Sequence, residues 1–224
     1  MSSEVFRNLL VSGIGRFPRV LSMVSDHKDD AVEQLVRYRE LVLIENERQN
    51  LTRLLSPEEF YWGHIEDVFQ LLENTRFEYP VVDLGTGGGV PGVPAAILTQ
   101  EPWILLDSEL RKTEFLRSST AELSMHKVSV VHERMETALS SIHPKTLVSR
   151  AVGKVEKIYG WIGKCSTWNR LILFKGPAFE SEWAEFEHSK HRGKLTIEST
   201  HEYSAYSPSD QAERSRRIVV LKRV

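Results

Sequence analysis

The chain has 224 residues, of which 41% are hydrophobic and 27% are charged, and this composition suits a globular protein of one medium-sized domain with a core of its own. The net charge of −2 argues against a protein that coats nucleic acid nonspecifically, and the single cysteine excludes an internal disulfide and favours a cytoplasmic protein. No apolar run approaches the roughly 20 residues needed to cross a bilayer, so a membrane partner is not expected.

The N-terminal segment, MSSEVFRNLLVSGIGRFPRVLSMV, is mildly apolar and is interrupted by Arg7, Arg16 and Arg19. It lacks the uninterrupted apolar core and the cleavage site of a signal peptide. We therefore expect a surface helix or a frayed extension at this end of the chain.

Two helices are predicted next. Apolar residues recur at helical spacing over residues 29–48, which is typical of an amphipathic helix. In the segment SPEEFYWGHIEDVFQLL, Ser56 can cap a helix, Pro57 suits its first position and Glu59 completes a capping box. This second helix is predicted to end near Glu73.

The pattern then changes to short apolar runs that alternate with helical segments, which favours βαβ units and a parallel sheet. The predicted strands in chain order are YPVVDLG, WILLDS, VSVVHE, TLVSRAV, RLILFKG, KLTIESTHEY and RRIVVLKR. The last two follow each other closely and are expected to form an antiparallel edge. The sequence thus predicts an α/β fold with a mostly parallel seven-stranded sheet and helices on both faces, over residues 79–224, preceded by a helical region over residues 1–78.

A glycine-rich turn, VVDLGTGGGVPG, follows the first predicted strand, where ligands bind in open parallel sheets. Gly85 and Gly87 would let a ligand lie against bare backbone. The spacing also matches a dinucleotide-binding pattern, which is a weak signal alone. The nearby prolines remove N–H donors that a pyrophosphate needs, and Asp83 would repel a pyrophosphate but attract the sulfonium of S-adenosylmethionine. The residues therefore favour S-adenosylmethionine over a dinucleotide.

Acidic residues are predicted at the ends of the next two strands. Asp107 ends the run WILLD, where a carboxylate can accept hydrogen bonds from a ribose diol; the alternative is that it only caps the following helix. Met135 and Glu136 follow the third predicted strand and are placed to frame an adenine ring.

Together, these segments resemble the RsmG (GidB) family of bacterial ribosomal RNA methyltransferases. The resemblance runs from about Asn50 to Arg223 and rests on NLTRLLSPEEFYWGHIEDVFQLL, DLGTGGGVPGVPAAI, LLDSELRKTEFLR, LVSRAV, LFKG and ERSRRIVVLKR. Two departures concern the substrate side: Val152 stands where the family pattern has Phe, and ERSRR replaces the family's GERH.

The resemblance implies a Rossmann-like class I methyltransferase fold and methyl transfer from S-adenosylmethionine to N7 of a specific guanine in 16S ribosomal RNA. It also implies that Gly85, Val90, Met135, Glu136 and Arg150 contact the cofactor. The full set of expected cofactor-binding residues is Asp83, Gly85, Gly87, Val90, Asp107, Met135, Glu136 and Arg150. No metal site is expected, because guanine N7 carries an exposed lone pair and needs neither a base nor a Lewis acid.

Arg150, Lys175 and His64 are the candidate catalytic residues. Arg150 either contacts the RNA or the guanine, or forms an ion pair with Asp83 or Glu136 that shapes the pocket. Lys175 either reaches an RNA phosphate or is a solvated strand-end lysine. His64 is either a satisfied core histidine or a residue that closes over the cofactor or the base.

Two basic clusters are candidate phosphate contacts, although such clusters are usually solvated faces. They consist of Arg111, Lys112 and Arg117, and of Arg214, Arg216, Arg217, Lys222 and Arg223. The expected partner is 16S ribosomal RNA within the 30S subunit or an assembly intermediate, bound by a monomer. The alternatives are a methyltransferase of another RNA, a protein or a small molecule, an NAD-dependent oxidoreductase, and a noncatalytic cofactor-binding module that assists ribosome assembly.

Overall fold

A computed structural model of the chain describes residues 2–224, and its centre is a seven-stranded sheet of order β3-β2-β1-β4-β5-β7-β6. The strands are β1 (Val81–Leu84), β2 (Trp103–Asp107), β3 (Val128–His132), β4 (Thr146–Arg150), β5 (Arg170–Lys175), β6 (Leu195–Ser207) and β7 (Ala212–Arg223). The first five strands are parallel, β7 pairs antiparallel with β5, and β6 pairs antiparallel with β7, so the predicted sheet and its antiparallel edge are confirmed.

Ten α-helices and one π-helical turn surround the sheet within residues 2–224. The helices are α1 (Ser2–Arg16), α2 (Pro18–Met23), α3 (Lys28–Gln49), α4 (Pro57–Phe60), α5 (Glu66–Asn74), α6 (Gly92–Thr99), α7 (Leu110–Glu122), α8 (Met135–Ser141), α9 (Val155–Ile162) and α10 (Phe179–Glu187). The π-helical turn, Tyr61–Ile65, joins α4 to α5. The predicted capping box is present, since Ser56 and Glu59 bond reciprocally to each other's backbone N–H.

Each face of the sheet buries its own apolar cluster. Side chains alternate along a strand, so Val81 lies in the cluster formed with α6, α7 and the N-terminal helices, whereas Val82 and Leu84 lie in the cluster formed with α8, α9 and α10. Helices therefore cover both faces, and the predicted fold class is confirmed.

The N-terminal segment forms a surface helix with one buried face, as one of the two alternatives predicts, and it is not a frayed extension. Phe6, Leu10 and Ile14 recur four residues apart on α1, and all three are fully buried against the rest of the protein. The three arginines that interrupt this segment lie at its edges and do not prevent burial. Because this cluster also contains Val81 of the sheet, the helical region and the sheet share one core, and the division at residues 78 and 79 stays a prediction.

The β6–β7 hairpin extends beyond the rest of the sheet. Arg217 pairs with Lys175, the last residue of β5, but the pairing of β6 with β7 continues to Ser207 and Ala212. The hairpin therefore projects past the carboxyl edge of the parallel strands, where it contacts the π-helical turn and α5. No helix within residues 2–224 is both long and apolar enough to cross a membrane.

Candidate functional site

The glycine turn connects β1 to α6 and leaves space beside the sheet edge. Gly85 has a φ of +65°, and a Cβ at this position would lie 2.7 Å from Val152 Cγ2 and 3.3 Å from Met135 Cε. Gly92 begins α6, where a Cβ would lie 2.3 Å from Leu105 Cδ2 of the neighbouring strand. Glycine at Gly85 keeps the turn open, and glycine at Gly92 lets α6 approach the sheet closely.

Asp83 holds this turn from behind. Its Oδ2 accepts a hydrogen bond from the Thr86 hydroxyl at 2.6 Å and another from the Gly92 backbone N–H at 2.9 Å, whereas Oδ1 is buried without a partner among the described residues. Burial raises the pKa of Asp83 to about 6. The alternation of β1 directs this side chain towards α6, and Asp83 lines neither of the two cavities beside the turn. In this structure Asp83 fixes the turn, and its contact with a sulfonium stays a prediction.

Two cavities meet at Gly85. The adenine-side cavity, so named for the residues predicted to frame an adenine, has a volume of about 270 Å³ and is lined by Gly85, Leu106, Asp107, Ser108, Glu133, Arg134, Met135, Glu136, Val152 and Trp161. The arginine-side cavity has a volume of about 230 Å³ and is lined by Tyr38, Val42, Leu51, Thr52, Phe60, His64, Gly85, Thr86, Gly87, Gly88, Val90, Arg150 and Ala151. All of the expected cofactor-binding residues except Asp83 line one cavity or the other.

The adenine-side cavity is acidic. Asp107 accepts hydrogen bonds from the backbone N–H groups of Gly87 and Glu109, each at 2.9 Å, so it both caps a turn and faces the cavity. Each carboxylate oxygen has a second lone pair, so Asp107 can still accept hydrogen bonds from a diol. Met135 and Glu136 form the first turn of α8, after β3 rather than at its end.

Arg150 closes the arginine-side cavity at the end of β4. Its Nη1 donates to the Gly63 carbonyl and to Asp67 Oδ2, each at 2.9 Å, and its Nη2 donates to His64 Nδ1 at 2.7 Å. The predicted alternative of an ion pair is thus realised with a different partner, because Asp67 takes the place expected of Asp83 or Glu136. The sequence signal for this partner was available in HIED, since Asp67 follows His64 by three residues on one helical face.

His64 lies in the π-helical turn and faces both Arg150 and Thr52. Its Nε2 lies 2.9 Å from the Thr52 hydroxyl, and its ring packs edge-on against Phe60. Burial, followed by the nearby Arg150 charge, lowers the pKa of His64 well below the ordinary value. His64 is thus a hydrogen-bonded, buried residue that also lines the cavity, which joins the two predicted alternatives.

Asp67 is the centre of an ion cluster that the sequence did not predict. It is 1% exposed, and it accepts hydrogen bonds from Arg150, from Arg216 Nη1 at 2.7 Å and from the Tyr203 hydroxyl at 2.7 Å. Tyr203 and Arg216 belong to the projecting hairpin. The cluster therefore joins β4, α5 and the β6–β7 hairpin at the wall of the arginine-side cavity.

Lys175 and most of the C-terminal basic cluster are neutralised within the protein. The Lys175 ammonium donates to the Gly153 carbonyl at 2.8 Å and to Glu182 at 2.6 Å, and Lys175 lines neither cavity. The alternative of a solvated lysine is therefore wrong, and the contact of Lys175 with an RNA phosphate stays a prediction. In the basic cluster, Arg214 pairs with Asp210, Arg216 with Asp67, and Arg217 with Glu180 and Glu202, while Arg223 binds backbone carbonyls.

The other basic cluster is less engaged. Lys112 pairs with Glu109 at 2.8 Å, whereas Arg111 and Arg117 are exposed and have no ion pair among the described residues. Within residues 2–224, no group of three or more histidine, cysteine, aspartate or glutamate side chains is arranged to hold a metal ion.

Comparison with known proteins identifies the family. Residues 31–209 match the GidB family, described as rRNA small subunit methyltransferase G. The chain belongs to this family. A protein named ribosomal RNA small subunit methyltransferase G from Solibacter usitatus is 32% identical over 180 residues, which is 79% of this chain and 86% of the relative. One of the same name from Pseudomonas syringae pv. tomato is 37% identical over 157 residues, which is 66% of this chain and 72% of the relative. The predicted family and the predicted enzyme class, a methyltransferase, are confirmed.

Solved structures support the fold. A precorrin-6y C5,15-methyltransferase from Geobacter metallireducens aligns with a TM-score of 0.52 and 13% identity, over 78% of this chain and 92% of its own. A human methyltransferase 10 domain containing protein aligns with a TM-score of 0.52 and 13% identity, over 83% and 96%. At this identity the likeness concerns the Rossmann-like methyltransferase fold alone.

Proposed function

We propose that the protein transfers a methyl group from S-adenosylmethionine to N7 of a specific guanine in 16S ribosomal RNA. The observation that carries this proposal is the family match over residues 31–209, because that range contains every residue that lines the two cavities at Gly85. A cytoplasmic location follows from a ribosomal substrate.

The residues that line the two cavities support the proposed cofactor. The bare backbone at Gly85 and Gly87 leaves room where a side chain would intrude on a ligand or strain the turn. In the adenine-side cavity, Asp107 would accept from the ribose hydroxyls, and Met135 and Glu136 would frame the adenine. In the arginine-side cavity, Arg150 would pair with the methionine carboxylate.

The cofactor supplies an electrophilic methyl group when it is bound. The guanine N7 lone pair attacks without losing a proton, so no residue of the chain has to act as a general base. The histidine at the site agrees with this chemistry, because both ring nitrogens of His64 are already engaged by Arg150 and Thr52. The protein would contribute by holding guanine N7 in line with the methyl group of the cofactor, which favours the reactive orientation over others.

An arginine rim, consisting of Arg48, Arg53 and Arg111, is the proposed contact for RNA phosphates. All three are exposed; Arg48 approaches only Glu45 of its own helix, at 3.6 Å, and Arg53 and Arg111 form no ion pair among the described residues. The Gln49 amide donates to the Arg111 carbonyl at 3.3 Å, which joins the end of α3 to the start of α7. Leu51 and Thr52, between Arg48 and Arg53 in the chain, line the arginine-side cavity. The segments that carry the rim therefore adjoin the arginine-side cavity, and this position supports the proposed contact.

The test of the proposed function is methyl transfer from labelled S-adenosylmethionine to isolated 30S subunits and to naked 16S RNA, with mass mapping of the product. We expect a single methylated guanine. Label on protein, or the absence of label on ribosomal RNA, would contradict the proposal. Comparison of the two RNA substrates shows whether the enzyme acts on an assembled particle or on free RNA. Arg150→Ala is expected to lose activity, and full activity of this variant would contradict the site.

The rim is tested by replacing Arg48, Arg53 and Arg111 together with alanine. Because each lost phosphate contact reduces the salt slope of RNA binding by about 0.7 for a single strand, the triple variant should bind RNA more weakly and with a smaller dependence on salt. Arg170→Ala is the control, since Arg170 begins β5 at the amino end of the parallel strands, whereas the site lies at their carboxyl end. An unchanged salt slope in the triple variant would assign the RNA contact to another surface.

A further inference from the structure

We propose that Thr52 is a further cofactor-binding residue, whose hydroxyl donates a hydrogen bond to the methionine carboxylate of S-adenosylmethionine, and that His64 is the positioning residue that keeps this hydroxyl a donor. The inference rests on the proposed function only in that the ligand is S-adenosylmethionine. It is carried by the hydrogen bonds that connect Arg150, His64 and Thr52.

The contact with Arg150 determines where His64 holds its proton. A guanidinium has only N–H groups and can donate but not accept. Since Arg150 Nη2 lies 2.7 Å from His64 Nδ1, Nδ1 must accept and carry its lone pair there. The neutral ring then has its single proton on Nε2, which is the nitrogen that faces Thr52.

The contacts of Thr52 then determine what its hydroxyl can do. A hydroxyl oxygen has two lone pairs and one proton. One lone pair accepts from His64 Nε2 at 2.9 Å, and the other accepts from the Leu54 backbone N–H at 3.1 Å. The proton is left to donate, and no acceptor for it lies among the hydrogen bonds formed by residues 2–224. Thr52 borders the arginine-side cavity, so a ligand there can supply the acceptor.

The charges of the two cavities indicate which ligand group that acceptor is. The adenine-side cavity is lined by three acidic residues and one basic residue, so its net charge is negative and would repel a carboxylate; the four are Asp107, Glu133, Glu136 and Arg134. The arginine-side cavity has no acidic residue in its lining, and Arg150 is its only charged residue. The methionine carboxylate is the anionic group of the cofactor, and it would therefore lie beside Arg150 and Thr52.

Contacts with α3 and with the π-helical turn hold the segment that carries Thr52 beside the arginine-side cavity. The Asn46 side chain accepts from the Thr52 backbone N–H at 2.7 Å, which turns the chain back after α3. A Cβ on Gly63 would lie 2.2 Å from Leu54 Cδ1, so the glycine of the π-helical turn lets residues 52–54 pack directly against it. The hydroxyl is thus held by backbone contacts as well as by His64.

The test compares Thr52→Val, which removes the hydroxyl at similar volume, with Thr52→Ser, which keeps it. Calorimetry measures the binding of S-adenosylhomocysteine, which has the carboxylate, and of 5′-methylthioadenosine, which lacks the amino-acid portion. We expect Thr52→Val to weaken S-adenosylhomocysteine binding about tenfold to hundredfold, the usual range for a hydrogen bond to a charged group. Binding of 5′-methylthioadenosine should be unchanged, and Thr52→Ser should retain most of the affinity for both.

Equal losses for both ligands, or no loss for either, would overturn the assignment. Unchanged cofactor affinity of Thr52→Val together with a raised KM for 30S subunits would also overturn the assignment, because that result would indicate that the hydroxyl contacts RNA. Failure of the wild-type protein to bind either ligand would instead contradict the proposed cofactor, so the two failures are distinguishable.

The positioning role of His64 is tested by a double-mutant cycle. His64→Leu removes the Nε2 donor and should weaken S-adenosylhomocysteine binding when Thr52 is present. In the Thr52→Val background it should add little further loss, because there is no hydroxyl left to orient. Additive losses in the cycle would show that His64 acts independently of Thr52. Thermal unfolding of each variant checks that the fold is retained.

Discussion

The molecule contains two buried aspartates near the same site, and their surroundings are opposite. Asp67 and Asp83 are each 1% exposed. Asp67 receives two guanidinium groups and a tyrosine hydroxyl. Asp83 receives one threonine hydroxyl and one backbone N–H, and one of its oxygens has no partner among the described residues.

The difference teaches how burial acts on a carboxylate. Around Asp67 two guanidinium groups and a tyrosine hydroxyl offset the desolvation cost, and these contacts join three elements of the fold. Around Asp83 the pairing is partial, and burial raises the pKa to about 6. We therefore expect the Asp67 cluster to determine how the site wall is held together, and Asp83 to make the glycine turn sensitive to pH.

The largest effect is expected for Asp67→Asn, measured as the free energy of unfolding in urea. The substitution keeps the volume but leaves Arg150 and Arg216 without their counter-charge, and we expect a loss of about 3 kcal/mol. Asp210→Asn is the matched control, because it removes an exposed partner of Arg214 on the same hairpin and should change little. A smaller loss for Asp67→Asn than for the control would refute the central role of Asp67.

Asp83→Asn should change the pH dependence of stability. The folded-state pKa of about 6 lies above the reference value of 3.8, so the folded protein binds the proton more tightly. The contribution of Asp83 to the free energy of unfolding should therefore be greatest below about pH 4 and fall as the pH rises to about 6, by about 3 kcal/mol.

The asparagine variant lacks this titration, so its free energy of unfolding should increase relative to that of the wild type between pH 4 and pH 7. Denaturation curves of both proteins across this range isolate the contribution of this residue. A constant difference between them would mean that Asp83 ionises as it does in the unfolded chain.

A smaller effect is expected for Tyr203→Phe, which removes a single donor to Asp67. The hydroxyl lies 2.7 Å from Asp67 Oδ1, and the loss of one hydrogen bond to a charged group should cost about 1.5 kcal/mol of unfolding free energy. Tyr206→Phe on the same hairpin is the control, because no side-chain hydrogen bond of Tyr206 is found within residues 2–224. Equal effects of the two substitutions would remove Tyr203 from the cluster.

The sequence predicts one of these aspartates better than the other for a physical reason. Asp83 lies beside glycines whose spacing, within a dozen residues, indicates a cofactor-binding turn, so a local sequence pattern identifies it. Even so, that pattern does not reveal that the Asp83 side chain lies on the α6 side of the sheet. Side chains alternate between the two faces of a strand, and the sequence does not show which residue of β1 is the first to face α6. The strands themselves were predictable, since each is a short apolar run bounded by turns.

The helical spacing of Asp67 from His64 is visible in the sequence, but the pairing of Asp67 with the two arginines was beyond prediction because the members of the cluster are far apart in the chain. Arg150 and Arg216 are separated from Asp67 by 83 and 149 positions, and only the sheet order and the projecting hairpin bring them together. The same distance explains why the sequence predicts a basic cluster that includes Arg216 and does not predict its pairing with Asp67. The π-helical turn was also missed, since the sequence around Gly63 reads as a continuous helix.

Thr86→Val tests the surroundings of Asp83, because it removes the hydroxyl that donates to this carboxyl group. It is expected to have the smallest effect on the free energy of unfolding when measured in acid. There Asp83 is protonated, and the lost hydrogen bond joins two neutral groups, which costs about 1 kcal/mol. At higher pH the same hydroxyl donates to a carboxylate and is worth more, so the loss should grow as Asp83 ionises. Removing this donor should also raise the pKa of Asp83 further, because the Thr86 hydrogen bond favours the ionised form. Carbon-13 NMR of the Asp83 carboxyl would follow that change directly, and a midpoint at or below the wild-type value would mean that Thr86 does not support the charge.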